Sequence, residues 1–253
     1  MNVRGVFFDL YGTLLIFGDM VAAWDGWISC IYRAFAKGGL SVDKSAFKSR
    51  CDGFFERPEP PADEDDRLTI YERRLRDLGT QHGLALPDDD LRKIARDSIA
   101  TWRQHIRLDP DARDLLAELG ATKTLALISN FDHPPHVHSL LAELDLSEFF
   151  TTIIVSGEVG AKKPSPEIFS MALKATGLQP GDVAYVGDML REDIEGSKAA
   201  GMIPILIERE RPSDQRVDYD YRADSTGPER PAAQRPDGVN VISSLSDLKQ
   251  LVL

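Results

Sequence analysis

The sequence predicts an α/β protein: a doubly wound parallel sheet, interrupted after its first strand by a helical insert. Three observations carry this reading. A short apolar run, Val6-Phe7-Phe8, stops abruptly at Asp9. The stretch 18–107 has helical periodicity with no strand-like run inside it. From residue 108 onward, helical and strand-like segments alternate, the pattern that builds a parallel sheet with right-handed crossovers and helices on both faces.

The first strand ends in a carboxylate, and open α/β sheets bind ligands at the carboxyl ends of their strands. Gly12 then permits a sharp turn, and Thr13 adds a hydroxyl. In the insert, Val21, Trp24, Trp27, Ile28, Ile31 and Phe35 recur at three- and four-residue spacing, and Gly38-Gly39 stops that helix. A second helix, capped by Ser41, carries Phe47, Cys51, Phe54 and Phe55. A third, led by the acidic run from Asp63 to Asp66, carries Leu68, Tyr71, Leu75 and Leu78. A fourth opens at Pro87 and carries Leu91, Ile94, Ile99 and Trp102. Trp24, Trp27, Tyr71 and Trp102 are read as the core of this insert.

Beyond it the expected strands are 124–128, 152–155, 183–186 and 203–207, with an edge strand at 239–242. The expected helices are 110–119, 135–144, 165–176 and 192–200, with a closing helix at 246–253. Residues 209–238 are polar and proline-bearing and read as a long mobile surface loop. The domains expected are therefore a catalytic core of residues 1–17 and 108–253 and a helical unit of residues 18–107.

At 253 residues and 42% hydrophobic content, the chain can bury one large core and a smaller inserted one. Acidic residues outnumber basic ones, 41 to 30, for a formal charge of −11. That balance argues against broad nucleic-acid or anionic-membrane binding. It leaves room for an anionic substrate wherever a local cation reverses the field. Cys30 and Cys51 both fall in helical segments and read as reduced, packed thiols. The N-terminus lacks a signal-peptide pattern, and no apolar segment is long enough to span a bilayer, so a cytoplasmic protein, monomer or homodimer, is expected. His133, His136 and His138 crowd one loop and are read as exposed, with His133 near the rim of the cleft.

Three strand ends carry reactive residues: Asp9, Ser129-Asn130 and Gly187-Asp188. In a parallel sheet these converge on one edge, and Lys163 can join them from a loop. Asp9 and Asp188 would repel each other without a cation. Mg²⁺, which prefers oxygen ligands and takes one or two carboxylates plus substrate phosphate, removes that conflict. Asp193 can support that shell or orient Lys163. Ser129 and the backbone amides of Leu10 and Tyr11 can face an oxyanion. Lys163 can neutralise the transferred group, and Asp9 can attack in line to form an acyl-phosphate.

Asp9-Leu10-Tyr11-Gly12-Thr13-Leu14, Ile128-Ser129-Asn130, Lys163-Pro164-Ser165-Pro166 and Gly187-Asp188-Met189-Leu190-Arg191-Glu192-Asp193 resemble the four ordered motifs of the haloacid dehalogenase (HAD) superfamily. The resemblance covers roughly residues 1–17 and 108–208. It implies a Rossmann-like core with a helical cap, and a Mg²⁺-dependent hydrolase, first of all a phosphatase acting on a phosphorylated small molecule. By the resemblance, Asp9 is the nucleophile and a metal ligand, and the backbone carbonyl of Tyr11 and the Asp188 carboxylate bind the metal. Thr13, Ser129 and Asn130 belong to the substrate-phosphate site. Lys163 is the charge-neutralising lysine, with Lys162 only its neighbour, and Asp193 is the supporting carboxylate. The departure is Tyr11, where phosphatases of this superfamily usually carry a second Asp as general acid and base. Two other readings follow from that departure: a 2-haloacid dehalogenase-like or C–P bond hydrolase, and a catalytically weak binding or regulatory protein on the same fold.

Overall fold

The computed structural model describes residues 1–62, 65–209 and 238–253. In chain order, β1 (Gly5–Phe8) leads through a tight turn to β2 (Leu15–Phe17). Then come α1 (Met20–Lys37), α2 (Lys44–Cys51), α3 (Ile70–Gln81) and α4 (Asp88–Arg103). β3 (Ile106–Leu108) and α5 (Ala112–Gly120) precede β4 (Thr124–Ser129), α6 (Pro134–Glu143) and β5 (Thr152–Val155). The chain continues through α7 (Ser156–Val159), α8 (Pro166–Thr176), β6 (Val183–Gly187), a π-helical turn (Leu190–Glu195) and α9 (Gly196–Ala199). It closes with β7 (Ile203–Ile207), β8 (Asn240–Ile242) and α10 (Leu245–Val252).

Among the described residues, 1–17, 107–209 and 238–253 form one compact unit, and 18–106 the other. The larger unit holds a six-stranded sheet in the order β5-β4-β1-β6-β7-β8, parallel throughout. This is the predicted α/β fold. β1 lies at the centre: Phe8 pairs with Leu127 on one side and Val186 on the other. After β1 the chain builds β4 and β5 on one flank and then returns to build β6, β7 and β8 on the other. Asp9 therefore stands at the point where the strand order reverses, the place where such sheets open a crevice.

Alternation along the strands explains their composition. Phe7, Ala126, Ile128 and Tyr185 turn to one face and pack with Ile168, Phe169, Ala172 and Leu173 of α8. Val6, Phe8, Leu125 and Leu127, on the opposite face, are equally buried. Burial on both faces is why these strands read as continuous apolar runs.

The smaller unit, residues 18–106 among those described, is helical. Trp27 and Tyr71 are buried at its centre, where Trp27 Nε1 donates to Tyr71 Oη at 2.6 Å and Tyr71 Oη meets Ser98 Oγ at 2.7 Å. Trp24 stacks on Trp27 with centroids 4.6 Å apart but is only half-buried, like Trp102.

Several local expectations are corrected. Short strands β2 and β3 flank the helical insert and pair as a two-stranded ribbon, too brief to register as sequence periodicity. Asp43, not Ser41, caps α2, accepting from the Ala46 N–H, and α2 ends at Cys51 before Phe54 and Phe55. Thr69 caps α3 in a reciprocal box with Glu72. Asp66 lies outside that first turn, where it accepts from Leu68 N–H and pairs with Arg76 at 2.7 Å. Asp63, and residues 210–237 of the loop expected over 209–238, lie outside the described residues. His133 is buried, not exposed, at the start of α6, and only His138 of the three histidines is exposed. Among the described residues, no helix is long and apolar enough to cross a membrane.

Candidate active site

Asp9 leaves β1 with its N–H still bonded to Val186 O at 2.9 Å, so its backbone is fixed by the neighbouring strand. The chain then folds back on itself: Leu14 and Leu15 N–H both bond to Leu10 O, and Gly12 N–H bonds to Leu15 O. This turn places Thr13 Oγ1 3.2 Å from Asp9 Oδ2. Gly12 has φ +92°, and a Cβ there would stand 2.1 Å from Asp188 Oδ2. Glycine is thus required twice, by backbone conformation and by the carboxylate that leans against it. Gly12→Ala is expected to cost roughly 1–2 kcal/mol from the left-handed backbone alone. It is also expected to push Asp188 out of place, to be read as weakened divalent-cation binding in calorimetric titration.

Lys163 is 4% exposed, and its ammonium lies 2.6 Å from Asp9 Oδ1 and 2.7 Å from Asp193 Oδ1. Asp193 reaches this point from the π-helical turn after β6. Its Oδ2 accepts from Met189 N–H at 3.0 Å, which ties the carboxylate to the strand end carrying Asp188. Gly187 makes the approach possible, since a Cβ there would meet Asp193 Cγ at 2.3 Å. Carboxylate oxygens of Asp9, Asp188 and Asp193 all lie within 4.8 Å of one another. Three carboxylates against one ammonium leave two negative charges unbalanced in a largely buried cluster, the balance a divalent cation would meet.

The electrostatics agree. Burial, helped by the neighbouring carboxylates of Asp193 and Asp188, outweighs the pull of Lys163 and pushes the Asp9 carboxyl up to about 7. Burial works against the charge of Lys163, but Asp193 and Asp9 outweigh it and hold its pKa above the ordinary lysine value.

Ser129 ends β4 as expected. Its Oγ is buried with no hydrogen-bond partner among the described residues, so none of them offsets its desolvation. Asn130, expected to meet substrate, turns its side chain to the protein. Its Nδ2 donates to Lys163 O at 3.0 Å, and its Oδ1 accepts from Lys163 N–H at 2.9 Å. Leu10 is buried beneath the turn, and the ring of Tyr11 stacks on Phe131 with centroids 5.2 Å apart. Where a carboxylate would stand, there is an aromatic wall.

Two features were missed in the sequence. Arg209, at the end of β7, pairs with the buried Asp109 at 2.6 Å and donates to Thr13 O at 2.7 Å, holding the turn after Asp9. Tyr185, in the middle of β6, places its hydroxyl 3.1 Å from Lys163 Nζ. A lone tyrosine in an aliphatic central strand was the available signal, because a buried phenol finds a polar partner. Arg209 offered no signal of its own.

Comparison with known proteins fits this geometry. The family model described as haloacid dehalogenase-like hydrolase matches residues 3–201. The chain belongs to this family. A second, related hydrolase model matches residues 160–248. This HAD-family hydrolase is 30% identical over 211 residues to N-acylneuraminate-9-phosphatase of Rattus norvegicus, covering 79% of this chain and 80% of that protein. It is 32% identical over 200 residues to phosphoglycolate phosphatase of Yersinia pestis, covering 79% and 78%. Among solved structures, a HAD phosphatase from Thermococcus onnurineus shares the fold with a TM-score of 0.66 at 20% identity, over 98% of this chain and 97% of that one.

Proposed function

We propose that this HAD-family hydrolase is a Mg²⁺-dependent phosphatase that cleaves a phosphorylated small molecule through an aspartyl-phosphate on Asp9. The observation that carries the reading is the convergence of Asp9, Asp188 and Asp193 on one point beside Lys163, with the partnerless Ser129 hydroxyl at the adjoining strand end. The relatives named as phosphatases support the same reaction class. Their different substrates leave the small molecule itself open.

Asp9, Asp188 and the Tyr11 carbonyl would hold Mg²⁺, with Asp193 behind them. The cation would supply charge neutralisation at the phosphoryl oxygens and keep Asp9 ionised. The residues of the chain do the rest. A carboxylate oxygen of Asp9 attacks phosphorus, and the bond to the leaving oxygen breaks with its electron pair, that oxygen taking its proton from water because Tyr11 offers no carboxylic acid. Ser129 and the Leu10 and Tyr11 amides hold phosphoryl oxygens, and Lys163 keeps the Asp9 carboxylate charged and directed. Water then cleaves the acyl-phosphate, releasing phosphate and restoring Asp9. The helical unit of residues 18–106 is read as a cap that excludes water and selects the substrate.

The test is a phosphomonoester panel assayed with Mg²⁺ and with chelator. Turnover is expected only with the metal. Because Asp9 titrates near 7 when metal-free, Mg²⁺ must displace a proton there. Binding is therefore expected to weaken as pH falls below about 7, with proton release visible by calorimetry in buffers of different ionisation enthalpy. Metal-independent phosphate release would end the reading. Tyr11 favours one alternative, a dehalogenase-like reaction whose leaving group needs no proton. Halide release from 2-haloacids in place of phosphate release would decide for it.

A further inference from the structure

Lys163 is held at two ends. The Asn130 amide grips its backbone from both sides, and its ammonium, buried, meets three oxygens: Asp9 Oδ1 at 2.6 Å, Asp193 Oδ1 at 2.7 Å and Tyr185 Oη at 3.1 Å. A lysine ammonium has three hydrogens to give. Tyr185 is fully buried on β6, and its hydroxyl also lies 3.1 Å from Asp193 Oδ1 and 3.4 Å from Ile128 O. The phenol can therefore donate its single hydrogen to Asp193 while accepting one from Lys163. Its ring packs edge-on against Phe169, with centroids 5.1 Å apart, so it is seated independently of the hydroxyl.

We infer that Tyr185 is a positioning residue of this site: its hydroxyl takes the third N–H of Lys163 and so fixes the direction in which the ammonium faces Asp9. The inference rests on the phosphatase reading only in assigning that pair its chemistry. With the two carboxylates alone, the third N–H has no acceptor from Tyr185 and the ammonium can lean from Asp9 toward Asp193. The third contact closes a Lys163–Asp193–Tyr185 triangle and leaves the remaining N–H aimed at Asp9 Oδ1. With every hydrogen engaged within the protein, Lys163 acts on the phosphoryl group through Asp9.

The experiment compares wild type with Tyr185→Phe, which removes only the hydroxyl. Four readouts are taken: kcat and KM on an aryl phosphate, Mg²⁺ affinity by calorimetry, the thermal midpoint, and the side-chain ammonium signal of Lys163 in a ¹H–¹⁵N correlation spectrum. That signal is assigned by its absence in Lys163→Met. Wild type is expected to show a slowly exchanging ammonium signal. Tyr185→Phe is expected to lose or broaden it and to drop kcat on the order of 10- to 100-fold, with KM and Mg²⁺ affinity within about twofold. An unchanged ammonium signal in Tyr185→Phe overturns the inference, and so does an unchanged kcat. A loss of kcat that follows a collapsed thermal midpoint or a matching loss of Mg²⁺ affinity also overturns it. If wild type turns over no phosphate ester, the phosphatase reading falls, and the ammonium signal alone decides the part played by Tyr185.

Discussion

Asp9→Asn is expected to lower turnover by at least about four orders of magnitude, as loss of a covalent nucleophile does, while the protein folds normally. The substitution keeps the shape of the side chain and one acceptor for Lys163. It removes a charge that the fold holds at a cost: burial and two neighbouring carboxylates oppose ionisation of Asp9, and Lys163, which favours it, does not offset them. In the absence of metal the variant should therefore melt no lower than wild type at pH 8. Its advantage should shrink as pH falls through about 7, where wild-type Asp9 takes up a proton and sheds the same penalty. Thermal scans with and without Mg²⁺ read both effects. The cation should raise the wild-type midpoint and raise that of Asp9→Asn much less. Phosphate release at equal rates from the two proteins would remove Asp9 as nucleophile.

Lys163→Met is expected to have the largest effect on stability of any single change in the site. The methionine fills the same channel, but Asp9 and Asp193 are left as buried carboxylates with no ammonium between them. Breaking a buried pair by removing one partner costs about 3–5 kcal/mol. The deficit belongs to ionised carboxylates, so it should be greatest at high pH and diminish as pH falls and Asp9 takes up its proton. Mg²⁺ should recover part of it. Urea denaturation at pH 5 and pH 8, with and without the cation, measures each component. Catalysis should be lost at every pH. A variant as stable as wild type at pH 8 without metal would mean that the three charges do not share one buried site.

Much of this site was legible because three of its parts sit where an apolar run ends. Asp9, Ser129 and Asp188 stand one step beyond or at the close of β1, β4 and β6, and burial on both faces made those strands visible as runs. Parallel pairing then carried residues far apart in sequence to one edge. What the sequence did not disclose are contacts whose partners meet only in three dimensions. The Asn130 side chain could as well have faced a ligand, and only the approach of the Lys163 backbone to the residue after β4 commits it there. Arg209 looked like the first residue of a polar loop, yet it secures the turn after Asp9 through Asp109 and Thr13. Tyr185 passed as one more strand residue, since a phenol is apolar enough to continue the run. Within the helical unit, periodicity placed the helices but not their ends. Short polar side chains such as Ser41, Asp43, Asp66 and Thr69 are equivalent as caps until the chain's path selects one.

The central claim is that Asp9 carries the phosphoryl group between substrate and water. The direct measurement mixes enzyme, Mg²⁺ and a turned-over phosphate ester, quenches in acid within the first turnover, and maps the adduct by peptide mass spectrometry. A phosphoryl group on the peptide containing Asp9, absent with chelator and absent in Asp9→Asn, is the predicted result. Turnover with no adduct on Asp9, or an adduct on another residue, would contradict it.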